Sequence, residues 1–302
     1  SNIAHTGSLW AINKPAGHHT LQPYKQYAFF QGELPNGDWN KQSPVKASTV
    51  IYNTNNEKFQ RFSVNSGDIV FRNSTDAVNF DAADSTFSNN NIAMISGVTV
   101  NADGVMVVAA EHNNDNTSEK AKRLYVNSGS LLHANTFQAT VTGNPVSIKK
   151  PVYGNGIWFA GCEGGFIKST DGAENWAKTS VTDSDGYGVT LYHALYNSNQ
   201  WIAVGSNANS KGVIFRSTDN FASLEHIKTV NEATRLYVVH TDNANVYLAG
   251  GDDQAVYRSM NGGITWTGPI DDIFNDSTDA PGSAHNDNDQ IISMIYGDNF
   301  NT

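Results

Sequence analysis

A short apolar strand that runs into Ser-x-Asp and closes on a large apolar residue recurs three times in this chain. Recurrence at a fixed period marks a repeat protein. The first copy is Phe166-Ile167-Lys168-Ser169-Thr170-Asp171, closing on Trp176. The second is Ile214-Phe215-Arg216-Ser217-Thr218-Asp219, closing on Leu224, and the third is Val256-Tyr257-Arg258-Ser259-Met260-Asn261, closing on Trp266. Asp171, Asp219 and Asn261 stand 48 and 42 residues apart, enough for one four-stranded unit each.

The motif has a mechanical reading. Phe, Tyr and Ile ahead of the serine suit a half-buried strand. Ser and Asp then fold their side-chain oxygens back onto backbone N–H groups and hold a tight turn. Gly262 and Gly263 permit positive φ there, and the closing Trp buries a large ring. The pattern resembles the Asp-box (bacterial neuraminidase) repeat of sialidases, sortilin-type receptors and photosystem assembly factors. It departs from Ser-x-Asp-x-Gly-x-Thr-Trp at Ala173, at Phe221 and Leu224, and at Asn261. The resemblance implies a β-propeller in which the boxes are structural.

The chain has 302 residues, 19 Lys plus Arg against 29 Asp plus Glu, and a formal charge of −10. That length allows one large all-β domain. The acidic balance argues against nonspecific nucleic-acid binding. The single cysteine, Cys162, excludes an internal disulfide and reads as a buried small hydrophobe. No apolar run reaches 18 residues, so membrane insertion is not expected. The first residues lack a basic region and an apolar core, so no signal peptide is visible. Only 16% of residues are charged, and the polar surface rests on Asn, Ser, Thr and Gly. That composition fits an extracellular or virion-surface β protein.

Alternating apolar residues and Asn/Gly turns predict four strands per repeat, A to D. The clearest unit reads Thr190–Tyr196, Trp201–Gly205, Ile214–Arg216 and His226–Val230. Upstream, Phe59–Val64 and Ile69–Arg72 read as strands B and C before a degenerate box. Ile92–Val100, Val105–Ala110 and Arg123–Val126 read as A, B and C. Val146–Tyr153 and Ile157–Cys162 lead into the first clear box, and Arg235–His240 and Val246–Gly250 into the last. The N-terminal Leu9–Ile12 and Tyr27–Phe30 read as B and C of a unit whose A strand, Ile291–Tyr296, comes from the C-terminus. Closing a ring this way removes exposed edges. The expected fold is all-β: a single six-bladed propeller of four-stranded antiparallel blades, at 286–302 plus 1–42, 43–88, 89–143, 144–183, 184–232 and 233–272.

In such a ring the boxes share one face, and the B–C loops and D–A connections share the other. Loops on a rigid scaffold carry function. The long ones are Asn13–Gln26, Glu111–Lys122, Ser206–Gly212 and Asp271–Gln290. His18, His19, His112 and His285 fall on this face, with Tyr187. Lys149, Lys150 and Arg235 belong to innermost strands, where they either meet an anionic ligand or pair with acidic loops. Together these are the expected ligand-binding residues. Asp183, Asp185, Asp287 and Asp289 are oxygen ligands of the type that Ca²⁺ takes, although neither cluster fits the full EF-hand loop.

No catalytic residue is assigned. The Arg-Ile-Pro signature of sialidases is missing, and of the six arginines only Arg235 is placed for a central site. Nucleophile-elbow, phosphate-loop and zinc signatures are also missing. The expected role is therefore non-enzymatic recognition of a cell-surface glycan or protein. Two alternatives stay open: a glycoside hydrolase or lyase of the sialidase-like superfamily, and an assembly-factor propeller that binds a protein. Ca²⁺ is the only cofactor considered, and the oligomeric state is open.

Overall fold

The computed structural model describes residues 2–6, 9–13, 27–31, 49–53, 56–75, 80–81, 85–87, 91–112, 123–127, 136–230, 234–242, 245–252 and 255–270. Among them there is no α-helix, and the strands fall into six sheets. The first holds β1 (Asn2–Thr6), β2 (Leu9–Asn13) and β3 (Tyr27–Gln31). The second holds β4 (Thr49–Asn53), β5 (Lys58–Asn65), β6 (Asp68–Ser74) and β7 (Ser85–Phe87). The third holds β8 (Ile92–Val100), β9 (Met106–His112), β10 (Arg123–Asn127) and β11 (Thr136–Gln138).

The fourth sheet contains β12 (Thr140–Thr142), β13 (Val152–Gly154), β14 (Ile157–Cys162), β15 (Gly165–Ser169) and β16 (Asn175–Ser180). The fifth contains β17 (Val189–Asn197), β18 (Gln200–Asn207), β19 (Gly212–Ser217) and β20 (Glu225–Thr229). The sixth contains β21 (Leu236–Thr241), β22 (Tyr247–Gly251) and β23 (Val256–Ser259). Consecutive strands pair antiparallel in the second, third, fifth and sixth sheets.

Two compact units emerge: residues 1–159 with 167–178, and residues 160–166 with 179–302. In the first unit, Phe62 and Phe71 of the second sheet and Ile95, Val98, Met106 and Val108 of the third form one buried core. In the second unit, Ile202, Val204 and Ile214 of the fifth sheet pack with Val239, Tyr247, Tyr257 and Trp266. Each core is thus built between the faces of two successive sheets. This is why strand B is buried along its whole length in the fifth sheet, where every residue of β18 is buried.

The Ser-x-Asp segments fold as three copies of one turn. In the first, the Ser169 hydroxyl donates to Asp171 Oδ1 at 2.7 Å and accepts from the Ala173 N–H, while Asp171 Oδ1 accepts from the Asn175 N–H. In the second, Ser217 and Asp219 make the same bonds with the N–H groups of Phe221 and Ser223. In the third, Ser259 and Asn261 do so with those of Gly263 and Thr265. The indole Nε1 of Trp176 donates to the Ala173 carbonyl, and that of Trp266 to the Gly263 carbonyl. Both tryptophans are buried, as the motif predicts. The turn needs positive φ at its fourth and fifth residues, supplied by Gly262 and Gly263 in the third copy. Ala173, at φ 73°, and Phe221, at φ 61°, take the fifth place in the other two. Phe221 offsets the cost by packing its ring on Trp201 and Phe166, with centroids at 4.9 and 5.1 Å.

These turns titrate. The Asn175 N–H, the Asn175 amide and the Ser169 hydroxyl hold Asp171 down from 3.8 to about 2. The Ser223 hydroxyl and N–H, then Ser217, do the same for Asp219, also to about 2. A carboxyl depressed in the folded state contributes stability that is full above its unfolded value and lost as pH falls toward its folded one. The first two turns are therefore expected to weaken between about pH 4 and pH 2. The third carries Asn261 and does not titrate. The double variant Asp171→Asn, Asp219→Asn should flatten the acid limb of a plot of melting temperature against pH. A limb unchanged in that variant would contradict this account.

Three sequence expectations are corrected. Leu9–Ile12 does not wait for Ile291–Tyr296: β2 is flanked by β1, with Asn2 opposite Asn13, and by β3, so both of its edges are taken. β1 takes the edge of β2 that the reading gave to the C-terminal strand; residues 291–296 lie outside the described residues. Second, the boundary at 143 falls too late. Thr140–Thr142 pairs parallel with Asn175–Ala177, so β12 belongs to the fourth sheet. Third, Val146–Tyr153 is not a strand throughout. Only Val152–Gly154 pairs, since Pro145 and Pro151 remove ladder donors.

Candidate functional site

In the second unit the innermost strands of two successive sheets carry the same irregularity. Along β17 and β18 the register passes from Leu191 opposite Gly205 to His193 opposite Val204, leaving Tyr192 as an extra residue. Along β21 and β22 it passes from Leu236 opposite Gly251 to Val238 opposite Gly250, leaving Tyr237 extra. A bulge bends its strand and re-aims the extra side chain. The two rings meet edge to face, with centroids at 5.0 Å.

Polar groups gather around this aromatic pair. The Tyr192 hydroxyl lies 3.3 Å from the Ser206 hydroxyl. The Arg235 guanidinium and the Asp252 carboxylate both act on the Tyr237 hydroxyl. Asp252 Oδ2 also accepts the Arg235 N–H at 3.1 Å. Burial, reinforced by Asp252 and opposed by Arg235, pushes the Tyr237 hydroxyl up to about 12, so it stays protonated at neutral pH. Arg235 is exposed and is held above its ordinary value, first by its bond with Tyr237. Half-buried Tyr192 and Tyr237, a charged guanidinium, a carboxylate and a serine hydroxyl together offer ring faces, donors and acceptors at one place. The site stands where strand A begins and strand B ends, next to the Ser206–Gly212 loop.

The expected site residues fall as follows. Arg235 is in this cluster. Tyr187 is exposed, and its N–H donates to Asp183 Oδ1. Asp183 is buried and forms a turn: Oδ1 accepts from the N–H groups of Asp185 and Tyr187, and Oδ2 from the Asn207 amide at 2.8 Å. Burial pushes the Asp183 carboxyl up, but these three bonds outweigh it and hold the group low. Its oxygens thereby anchor the turn before β17 to the end of β18.

In the first unit, His112 is buried between the Tyr125 hydroxyl at 2.6 Å and the Arg123 guanidinium at 2.9 Å. Lys149 and Lys150 are half-buried ahead of β13. Burial lowers the Lys150 amine, and the base of its side chain packs on Gly97. His18, His19, His285, Asp287 and Asp289 lie outside the described residues, as do most of the loops at 13–26, 111–122 and 271–290. Among the described residues, no three His, Cys, Asp or Glu side chains converge to hold a metal.

The sequence reading missed Tyr192, Tyr237 and Asp252, and named Ser206 only as the start of a long loop. One signal was present: Leu191-Tyr192 and Leu236-Tyr237 repeat at the same point of two successive units, each opposite a glycine of strand B.

No protein-family model matches this sequence, and no curated protein matches it. Solved structures do resemble it. YCF48 bound to D1 peptide has a TM-score of 0.53 at 11% identity, over 92% of this chain and 78% of that one. The periplasmic gluconolactonase PpgL of Pseudomonas aeruginosa has a TM-score of 0.53 at 9% identity, over 72% and 68%. The GH74 xyloglucanase of Xanthomonas campestris has a TM-score of 0.50 at 16% identity, over 74% of this chain and 38% of that one. Such likeness shows the fold alone, and that fold is the β-propeller. This chain spans well under half of the xyloglucanase's length.

Proposed function

We propose that this chain is a recognition module: a six-bladed propeller of the Asp-box type that binds a glycan or protein at a cell surface without transforming it. The single observation behind this reading is the cluster of Tyr192, Tyr237, Arg235 and Asp252. Aromatic faces beside a few convergent polar groups are the usual make-up of a ligand site. Tyrosine offers large contact area at low entropic cost. The Ser-x-Asp turns are poor candidates for that role, because their side chains already bond their own backbone. Of the similar folds, one is bound to a peptide and another is a xyloglucanase, so the scaffold is compatible with either ligand class. The proposed setting is extracellular or on a virion. Ca²⁺ stays part of this proposal, with Asp183, Asp185, Asp287 and Asp289 as its candidate ligands.

The test is attachment to a glycan array and to intact cells, with and without EDTA. Arg235→Ala removes an exposed side chain, and melting is expected to change little. Binding is expected to fall at least about tenfold, the loss of one charge-assisted bond at a site centre. Full binding by Arg235→Ala and by Tyr192→Ala would sink the proposal. Turnover of a bound oligosaccharide would favour the hydrolase alternative.

A further inference from the structure

A second feature, in the first unit, is independent of that reading. Arg61 of β5 and Arg72 of β6 are directly opposite one another. Residues opposed in this way have Cβ atoms about 5 Å apart, and like charges there repel. Neither guanidinium has a hydrogen bond or an ion pair with a described residue, and Arg61 Nε is buried without a partner. Both side chains are half-buried. The Phe80 ring lies under the Arg61 guanidinium, 4.5 Å from its centre, and fixes the plane of that group. Burial and then the Arg72 charge lower the Arg61 pKa, as expected of a cation crowded by another cation.

The repeat shows how unusual this pair is. Arg72 precedes by two residues Ser74, which is opposite Phe59. In the fifth sheet the same offset from Ser217, opposite Trp201, gives Ala203 opposite Phe215. In the sixth, the offset from Ser259, opposite Tyr247, gives Ala249 opposite Tyr257. Those four residues are buried and apolar. The fold therefore accepts an Ala–aromatic pair here, and the second sheet carries two arginines instead. With 29 acidic residues in the chain, a neutralising carboxylate would be easy to supply from within. None stands there among the described residues. Two adjacent planar forks match the oxygens of one tetrahedral oxyanion, each able to bond it bidentately.

We infer that Arg61 and Arg72 form a binding site for a small oxyanion of the phosphate or sulfate class, with Phe80 holding Arg61 in place. The anion cancels the repulsion between the arginines, so binding stabilises the fold by mass action.

The test is thermal melting and calorimetric titration of the whole chain with millimolar inorganic sulfate or phosphate, against chloride at matched ionic strength. Wild type is expected to melt higher in sulfate and phosphate than in chloride. Arg72→Gln should lose that difference and bind at least about tenfold more weakly. Arg72→Lys should keep part of it, because it retains the charge without the fork. A general salting effect would raise all three proteins alike, and that outcome overturns the inference. So does an equal response of wild type to sulfate and chloride. In chloride, Arg72→Gln should melt no lower than wild type, since it removes a like-charge pair. A much lower melting point would mean that the chain already neutralises the pair, and would equally overturn it.

Discussion

Replacing Trp176 or Trp266 by alanine is expected to lower the stability of this chain by about 3–5 kcal/mol, the cost of emptying a large aromatic site in a packed core. Only 1% of the Trp176 surface and 6% of the Trp266 surface is exposed, so little water reaches either ring. Each indole N–H is committed to a carbonyl inside its own turn. Trp266 also belongs to the core that joins the fifth and sixth sheets, through Tyr247 and Tyr257. The substitution therefore removes the closure of a turn and the filler between two sheets together. Urea unfolding of the two variants measures the loss. A loss below about 1 kcal/mol, the scale of an ordinary surface change, would mean that the tryptophans do not fill packed sites.

A comparable loss is expected from a much smaller change. Gly205→Ala and Gly251→Ala each add one methyl group, yet each should destabilise the chain by about 3 kcal/mol or more. A Cβ at Gly205 would run into the Thr190 carbonyl, and one at Gly251 into the Arg235 carbonyl, well inside van der Waals contact. Both obstacles are backbone, so no rotamer change relieves them. The two carbonyls lie where the innermost strands bulge at Tyr192 and Tyr237. Relief would have to come from straightening the bulge, which moves the tyrosines. The variants are thus expected to lose ligand binding as well as stability, whereas Trp266→Ala should affect binding only through unfolding. The check is urea unfolding paired with binding measured below the unfolding transition.

Much of the fold was legible because its causes are local. The unbroken apolar run Trp201–Gly205 follows from having one sheet face against each neighbour, and the strands at Thr190–Tyr196 and Trp201–Gly205 appear within one or two residues of the expected bounds. The Ser-x-Asp turns were legible for the same reason. Their hydrogen bonds run between residues two to four apart, so the sequence carries the whole interaction. What escaped depends on distant partners. Thr140–Thr142 is a short polar stretch that becomes a strand only because Trp176 and its neighbours lie beside it, 34 residues on. Asn2–Thr6 gives little apolar signal and is a strand because β2 accepts it. The bulges that bring Tyr192 to Tyr237 arise from register between strands, which one strand's pattern does not encode. The candidate site was therefore glimpsed only through Arg235. Conversely, Asp183 read in sequence as a Ca²⁺ ligand beside Asp185, and it accepts a hydrogen bond from the amide of Asn207, 24 residues on.

Ligand is expected to meet the bulged ends of the strands at Tyr192 and Tyr237 and not the Ser-x-Asp turns. Hydrogen–deuterium exchange of the chain, with and without a saturating glycan or peptide found by the attachment screen, distinguishes the two. Protection is expected at Thr190–His193, Ser206–Gly212 and Arg235–Tyr237. Protection confined to Ser169–Trp176, Ser217–Leu224 and Ser259–Trp266 would contradict it.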